Sequence, residues 1–326
     1  MTLLQVGNVG DVTGGTGACV RTVTRALPDF AHVVAFPGRP SDETRAAFAG
    51  CRWVPRRRVD AEFVSECGAD VVLLHNVSRD LVDKGLPALT LAYTHSRVTP
   101  PLADGAACCS RWLADQCGSA AGRVLTQAVP VPPRPAGCGT RSLGDGLTVG
   151  RICTPRKAKW PDEIVPLYSE WAERFPAVRW AFVGCPGGLV EPLREACGGR
   201  AEFVAASHAA RGELWKWDVL LYHHPTLTES FGRTCAEAMR AGCIPVVDAR
   251  GGFVEQIDGR PGGGILASDA GDFAAAIDAL LDPGERLRRS RRVRAIGDER
   301  FSISRFRRDL LAWFGETLAA VRAQAA

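Results

Sequence analysis

The sequence predicts an α/β protein built from two doubly wound domains in series. Short runs rich in Val, Leu, Ile and Ala alternate with helix-patterned stretches along the chain, as in stacked βαβ units around parallel sheets. The segment QAVPVPPRPAGCGTRSLGDG interrupts that alternation near the middle; it is rich in proline and glycine and has no period of its own, as expected of an interdomain connection. At 326 residues the chain also exceeds the ~250–300 residues at which single cores stop growing. The expected domains are residues 1–135, residues 136–304, and a C-terminal helix at 305–326 packing back on the first domain.

The elements follow in order. Strands are expected at Leu3–Val6, His32–Phe36, Val71–Leu74, Ala88–Tyr93, Gly105–Cys109 and Val124–Thr126 in the first domain, with helical spacers between them. The second series runs Leu147–Ile152, Trp180–Val183, Ala201–Val204, Val219–Tyr222, Ile244–Val247 and Gly264–Leu266. In the last helix, Phe306–Ala323, Leu310, Leu311, Phe314, Leu318 and Val321 fall at helical spacing, so that helix needs a surface to bury them on. No solenoid repeat or low-complexity tract occurs.

Composition narrows the functional classes. A formal charge of +4 is too small for a nucleic-acid partner. The 12 cysteines show no C-x-x-C pair or His/Cys cluster, so they read as reduced thiols rather than a disulfide or zinc framework. The N-terminus, MTLLQVGNVG, has no basic region followed by a long apolar run, and no stretch approaches the ~18–20 apolar residues of a spanning helix; a cytoplasmic protein is expected.

Ligands of open α/β sheets bind beyond the carboxyl ends of the strands, so the strand-to-helix turns carry the chemistry. After the first strand comes GNVGDVTGGTGACVRTV, in which Gly14 and Gly15 lead into a helix whose free N–H groups favour an anion. A dinucleotide fingerprint would require a carboxylate at the end of the second strand, where Phe36–Pro37–Gly38 stands instead, which weighs against a dehydrogenase. The strongest signal is HHPTLTESFGRTCAEAMRAGCIPVV. Here a strand runs through a loop into a helix whose Cys235, Ala238, Met239 and Gly242 form an apolar stripe. Glu229 precedes that helix and Glu237 lies off the stripe, so both carboxylates border its N-terminus. The plain alternative is a solvated Glu237 pairing with Arg233. The third turn, LAYTHSRVTPP, carries His95, and the preceding strand ends in His75 and Asn76, candidates for an acceptor side.

These residues resemble the retaining GT-B glycosyltransferases of family 4, whose hallmark is Glu, seven residues, then Glu. Glu229, Ser230, Phe231, Gly232, Glu237, Ala238, Met239 and Gly242 reproduce it, and VGR at Val149–Arg151, FVGCP at Phe182–Pro186 and GGFVEQI at Gly251–Ile257 follow the family's order. The resemblance implies a GT-B fold of two Rossmann-like domains facing across a cleft. It implies a nucleotide-diphosphate sugar donor, with Arg151 and Lys159 facing the diphosphate and the backbone N–H groups of Phe231, Gly232, Arg233 and Thr234 assisting. Arg156 and Lys157 are alternatives to Lys159, because the lysine position is shifted. It further implies Glu237 on the ribose hydroxyls, Glu229 and Ser230 at the donor, and His95 at the sugar.

The expected activity is therefore retaining, metal-independent hexosyl transfer without a cofactor. A UDP-sugar is the expected donor, UDP-glucose or UDP-N-acetylglucosamine. The short first domain points to a small soluble acceptor, as in natural-product biosynthesis. The competing readings are a lipid acceptor, a GT-B-like epimerase and a non-catalytic nucleotide-sugar-binding protein. His223 and His224 are adjacent and read as structural rather than chelating. The basic runs Arg56–Arg58 and Arg286–Arg294 have no developed apolar face with aromatic anchors and read as solvated surface rather than a membrane contact.

Overall fold

A computed structural model describes residues 1–118, 122–137, 146–257 and 263–325, so residues 138–145 of the expected connection lie outside the described residues. The chain divides into two compact units: residues 1–128 with 302–326, and residues 129–301.

The first unit contains a parallel sheet of β1 (Thr2–Gly7), β2 (Ala31–Phe36), β3 (Arg52–Pro55), β4 (Val71–His75), β5 (Leu89–Thr94), β6 (Gly105–Cys108) and β7 (Arg123–Val124), in the order β3-β2-β1-β4-β5-β6-β7. Its helices are α1 (Gly15–Ala26), α2 (Asp42–Ala47), α3 (Ala61–Glu66) and α4 (Arg111–Cys117). The strands read as nearly continuous apolar runs because a parallel sheet is covered on both faces. Leu4, Val6, Val33, Ala35, Val72 and Leu74 join Phe63 and Val64 of α3 in one core cluster. β3 is not expected from the sequence: its four residues begin with an arginine and end in a proline, which only an edge strand tolerates.

The second unit repeats the plan with β8 (Thr148–Ile152), β9 (Arg179–Val183), β10 (Ala201–Val204), β11 (Val219–Tyr222), β12 (Ile244–Asp248) and β13 (Ile265–Ala267), ordered β10-β9-β8-β11-β12-β13 and all parallel. Helices α5 (Ile164–Arg174), α6 (Gly187–Ala196), α7 (Arg233–Ala241), α8 (Gly252–Ile257), α9 (Ala270–Ala279) and α10 (Pro283–Phe301) accompany it. In both sheets the winding reverses, between β1 and β4 and between β8 and β11, and the crevice outside the strand ends at such a point is where open α/β sheets take ligands.

The last helix, α11 (Ile303–Ala325), belongs to the first unit. Its buried stripe is Phe306, Leu310, Trp313, Phe314 and Thr317, whereas Leu318 is 38% exposed. The stripe is therefore rotated from the expected one, because Phe306 and Trp313 seat against Tyr93 of β5, at ring-centroid distances of 6.4 and 6.3 Å. Arg307 bonds Asp29 and the Ala26 carbonyl, and Arg123 pairs with Glu316.

Candidate active site

In the second unit, the loop from Pro225 to Gly232 and the start of α7 gather most of the expected donor residues. α7 begins from Gly232, whose backbone is left-handed (φ 82°), a conformation that glycine adopts without steric cost. A β-carbon there would also sit 2.2 Å from the Phe253 ring. No side chain caps the helix and no acidic residue occupies its first turn, and a helix start of this kind favours an anion.

The loop is held from beneath by α8. Gly252 N–H donates to the Glu229 carbonyl at 2.9 Å, and Gln256 donates to the carbonyl of Phe231. A β-carbon at Gly252 would lie 2.4 Å from the Ser230 oxygen and 2.6 Å from the Phe231 Cα, so GG at 251–252 permits two backbones to pack in contact. The GGFVEQI motif thus supports the loop carrying Glu229, which gives those glycines a local physical role.

Glu229 is the centre of the cluster. Its Oε1 accepts from the Tyr222 hydroxyl at 2.6 Å and pairs with Lys159 Nζ. Burial pushes the Tyr222 phenol well above its ordinary value, so it stays protonated and donates. Lys159 ends a short 3-10 turn at Lys157–Lys159, and its side chain is 27% exposed. Lys157 and Arg156 are exposed on the same turn. Two of the expected donor residues, 70 positions apart, are therefore in direct contact.

Arg151 takes an unforeseen position. It is fully buried at the end of β8, with its guanidinium carbon 5.1 Å from the centre of the Trp160 ring and 5.0 Å from that of Tyr222. Nη1 donates to the His223 carbonyl at 2.7 Å and Nη2 to the Lys159 carbonyl at 2.9 Å, while Nε has no hydrogen-bond partner among the described residues. The side chain ties the Lys159 turn to the end of β11.

His224 makes a second tie that sequence reasoning does not find. Its Nδ1 accepts from the N–H groups of Thr226 and Leu227, which leaves Nε2–H to donate to the Ala158 carbonyl at 3.0 Å. His223 bonds Asp248 at 2.7 Å, and the His224 N–H donates to the other oxygen of the same carboxylate at 2.9 Å. Both histidines follow β11 and act locally, and only their position after a strand end hints at it.

Glu237 is not the solvated residue of the plain alternative. It is 3% exposed, with Arg211 Nε at 3.2 Å and Arg233 Nη2 at 4.0 Å from its oxygens. The expected stripe on α7 is too narrow: Cys235, Ala236, Glu237, Ala238, Met239 and Ala241 are all buried, because β12, α10 and the turn at Ala209–Trp215 surround the helix. A carboxylate so buried is retained by its two arginines.

The remaining expected residues lie in the first unit. Gly14 caps α1 without a side-chain bond, and no atom stands within 4 Å of a β-carbon built on Gly15. At the ends of β4 and β5, His75 and His95 are bonded to each other, Nδ1 to Nε2, at 3.0 Å. Asn76, at φ 56°, turns its Oδ1 to accept from the N–H groups of His95 and Ser96 at 3.2 and 2.9 Å. It is a clamp on the His95 loop, and asparagine is among the few side chains that occupy such a backbone readily. Among the described residues, no group of three or more His, Cys, Asp or Glu is arranged to hold a metal ion. Among them too, no helix is long and apolar enough to cross a membrane.

Comparison with known proteins bears on this site. Residues 145–283 match the family described as Glycosyl transferases group 1, a segment that includes Lys159, Glu229 and Glu237. D-inositol 3-phosphate glycosyltransferase 2 of Catenulispora acidiphila is 36% identical over 156 residues, covering 43% of this chain and 36% of the relative, so the match spans about a third of that protein. Anabaena Alr3699/HepE, solved in complex with UDP, aligns with a TM-score of 0.76 at 15% identity over 98% of this chain and 100% of its own. Sucrose-phosphate synthase from Thermosynechococcus elongatus aligns with a TM-score of 0.75 at 16% identity over the same shares. The chain thus has the GT-B fold, and its second unit carries a segment similar to the group 1 glycosyltransferases.

Proposed function

We propose that the chain is a glycosyltransferase that moves a sugar from a nucleotide diphosphate to an acceptor hydroxyl. The observation that carries this reading is the Lys159–Glu229–Tyr222 cluster beside the uncapped start of α7, with Glu237 of that helix buried between Arg211 and Arg233. When a glycosidic bond to a diphosphate breaks, negative charge builds on the leaving oxygen, and fixed donors in place of water stabilise it. Lys159 and the N–H groups of Arg233 and Thr234 supply such donors. Arg151 is fully buried and supports this set by holding the carbonyl of Lys159 from within the core.

A diphosphate draws Lys159 away from Glu229 and frees that carboxylate to accept sugar hydroxyls. Glu237 is assigned to the ribose hydroxyls, with Arg211 and Arg233 yielding part of its oxygens. UDP is the favoured nucleotide, because one structural neighbour is described with UDP bound; UDP-glucose or UDP-N-acetylglucosamine is the proposed donor. Retention of anomeric configuration, a small soluble acceptor of the natural-product kind, and independence from metal complete the proposal, with His95 assigned to the sugar.

A thermal-shift panel of UDP, GDP, ADP and their glucose conjugates tests it, since a ligand bound only by the folded chain raises its melting temperature with occupancy. UDP and UDP-glucose are expected to stabilise the protein and to do so equally in EDTA. No response to any nucleotide diphosphate would defeat the reading, and a response that EDTA abolishes and magnesium restores would defeat its metal-independent part.

A further inference from the structure

Five side chains of the first unit form a continuous line of hydrogen bonds through its core. Gln127 Nε2 lies 3.0 Å from His95 Nδ1, and His95 Nε2 lies 3.0 Å from His75 Nδ1. His75 Nε2 lies 3.0 Å from Gln5 Oε1, Gln5 Nε2 lies 3.3 Å from His32 Nδ1, and His32 Nε2 lies 2.8 Å from the Leu27 carbonyl. The registers of β1 with β2 and of β1 with β4 place Gln5, His32 and His75 on one face of the sheet. Tyr93, opposite His75 in β5, shares that face and lies under Phe306 and Trp313 of α11. Gln5 and His75 are both fully buried, so neither finds water as a substitute partner.

The line can run in one direction only. A carbonyl accepts and never donates, so His32 must present Nε2–H to Leu27, and a neutral His32 then offers Nδ1 as an acceptor. Gln5 must meet it with its NH2 group, which turns the amide oxygen toward His75. His75 therefore carries its proton on Nε2 and accepts at Nδ1, so His95 must donate from Nε2 and keep its lone pair on Nδ1. Burial supports neutrality, holding His75 down to about 3 and lowering His32.

We propose that Gln5 and His32 are positioning residues for His95, fixing it through His75 as a neutral imidazole protonated on Nε2, with Nδ1 as an acceptor that Gln127 Nε2 meets at 3.0 Å here and that a ligand hydroxyl takes over from it. This rests on the assignment of His95 to the sugar. A neutral acceptor suits a centre where positive charge develops at the anomeric carbon, whereas an imidazolium would oppose it. Gln5 reaches His95 by way of His75, and His32 acts from the far end of the line.

Nitrogen-15 spectra of the imidazoles in the ligand-free wild type test the inference without any substrate, and with six histidines in the chain the spectrum is sparse. His32, His75 and His95 are each expected to show a protonated Nε2 and an unprotonated Nδ1. A proton on Nδ1 of His75 or His95 would overturn the proposal. His32→Leu, at a half-buried edge of the line, and Gln5→Met, in its middle, should each shift the His95 tautomer ratio about fivefold or more, the factor one hydrogen bond typically carries. A folded His32→Leu protein with an unchanged His95 ratio also overturns it. Should Gln5→Met not fold, the wild type and His32→Leu still decide. A correct tautomer pattern in a protein that binds no nucleotide would refute the functional reading and leave this inference standing.

Discussion

Lys159, Arg151 and Glu237 each separate binding from stability in a different way. Lys159 is partly exposed and its close partner is Glu229, so Lys159→Ala should cost diphosphate affinity with little change in melting temperature. Arg151 holds two carbonyls from within the core, and Arg151→Ala leaves both unmet, so it should lose stability as well as binding. Glu237 is better probed by Gln than by Ala, because the amide keeps the volume and removes the charge that retains Arg211 and Arg233. Glu237→Gln is expected to weaken UDP binding by roughly 1.5–3 kcal/mol, the range for hydrogen bonds to charged groups. Calorimetry showing unchanged affinity would place Glu237 among purely structural residues.

At the level of elements, the close approach of α8 to the loop at 225–232 controls where Glu229 stands. Gly252→Ala puts a β-carbon against the Ser230 carbonyl and the Phe231 Cα, both backbone atoms that cannot rotate away. Overpacking of this kind typically costs about 1–3 kcal/mol. The loop should move rather than the sheet, so UDP-glucose affinity is expected to fall along with the melting temperature; a melting loss with intact affinity would show that the loop is set elsewhere. This coupling explains what the sequence can and cannot disclose. Strands in both sheets are readable from apolar runs, and the Glu229–Glu237 loop from its motif. β3 is hidden because an edge strand of four residues with a proline has neither length nor a clean apolar run. The burial of Glu237 is hidden because β12, α10 and the turn at Ala209–Trp215, all outside its own helix, close around α7. The contacts Lys159–Glu229 and Gln5–His75 span about 70 positions each, and no local period reports such pairings.

On the scale of the whole molecule, the buried histidines give stability a pH dependence whose sign follows from the direction in which burial moves them. His75 is neutral in the core with its value lowered to about 3, against an ordinary 6.5, while the unfolded chain leaves it near that ordinary value. Below 6.5 the unfolded state takes up a proton that the folded state refuses, and proton binding favours whichever state binds more. The contribution is therefore complete above pH 6.5 and is lost progressively as pH falls toward 3. His32, lowered by the same cause, adds in the same direction. While only the unfolded state is protonated, each step of one pH unit changes stability by about 1.4 kcal/mol, so by pH 5 the loss from His75 amounts to about 2 kcal/mol. Carboxylate pairs elsewhere also weaken in acid, and the test must cancel them. Chemical denaturation of wild type and His75→Gln at pH 7.5 and pH 5 does so, since the two proteins share every other titrating group. The wild type should lead by the wider margin at pH 7.5, and the margin should shrink by about 2 kcal/mol at pH 5, where the variant no longer carries a group that prefers the unfolded state. A margin that is constant between the two pH values would mean that His75 titrates alike in both states, and the buried line of imidazoles would then have to admit a proton.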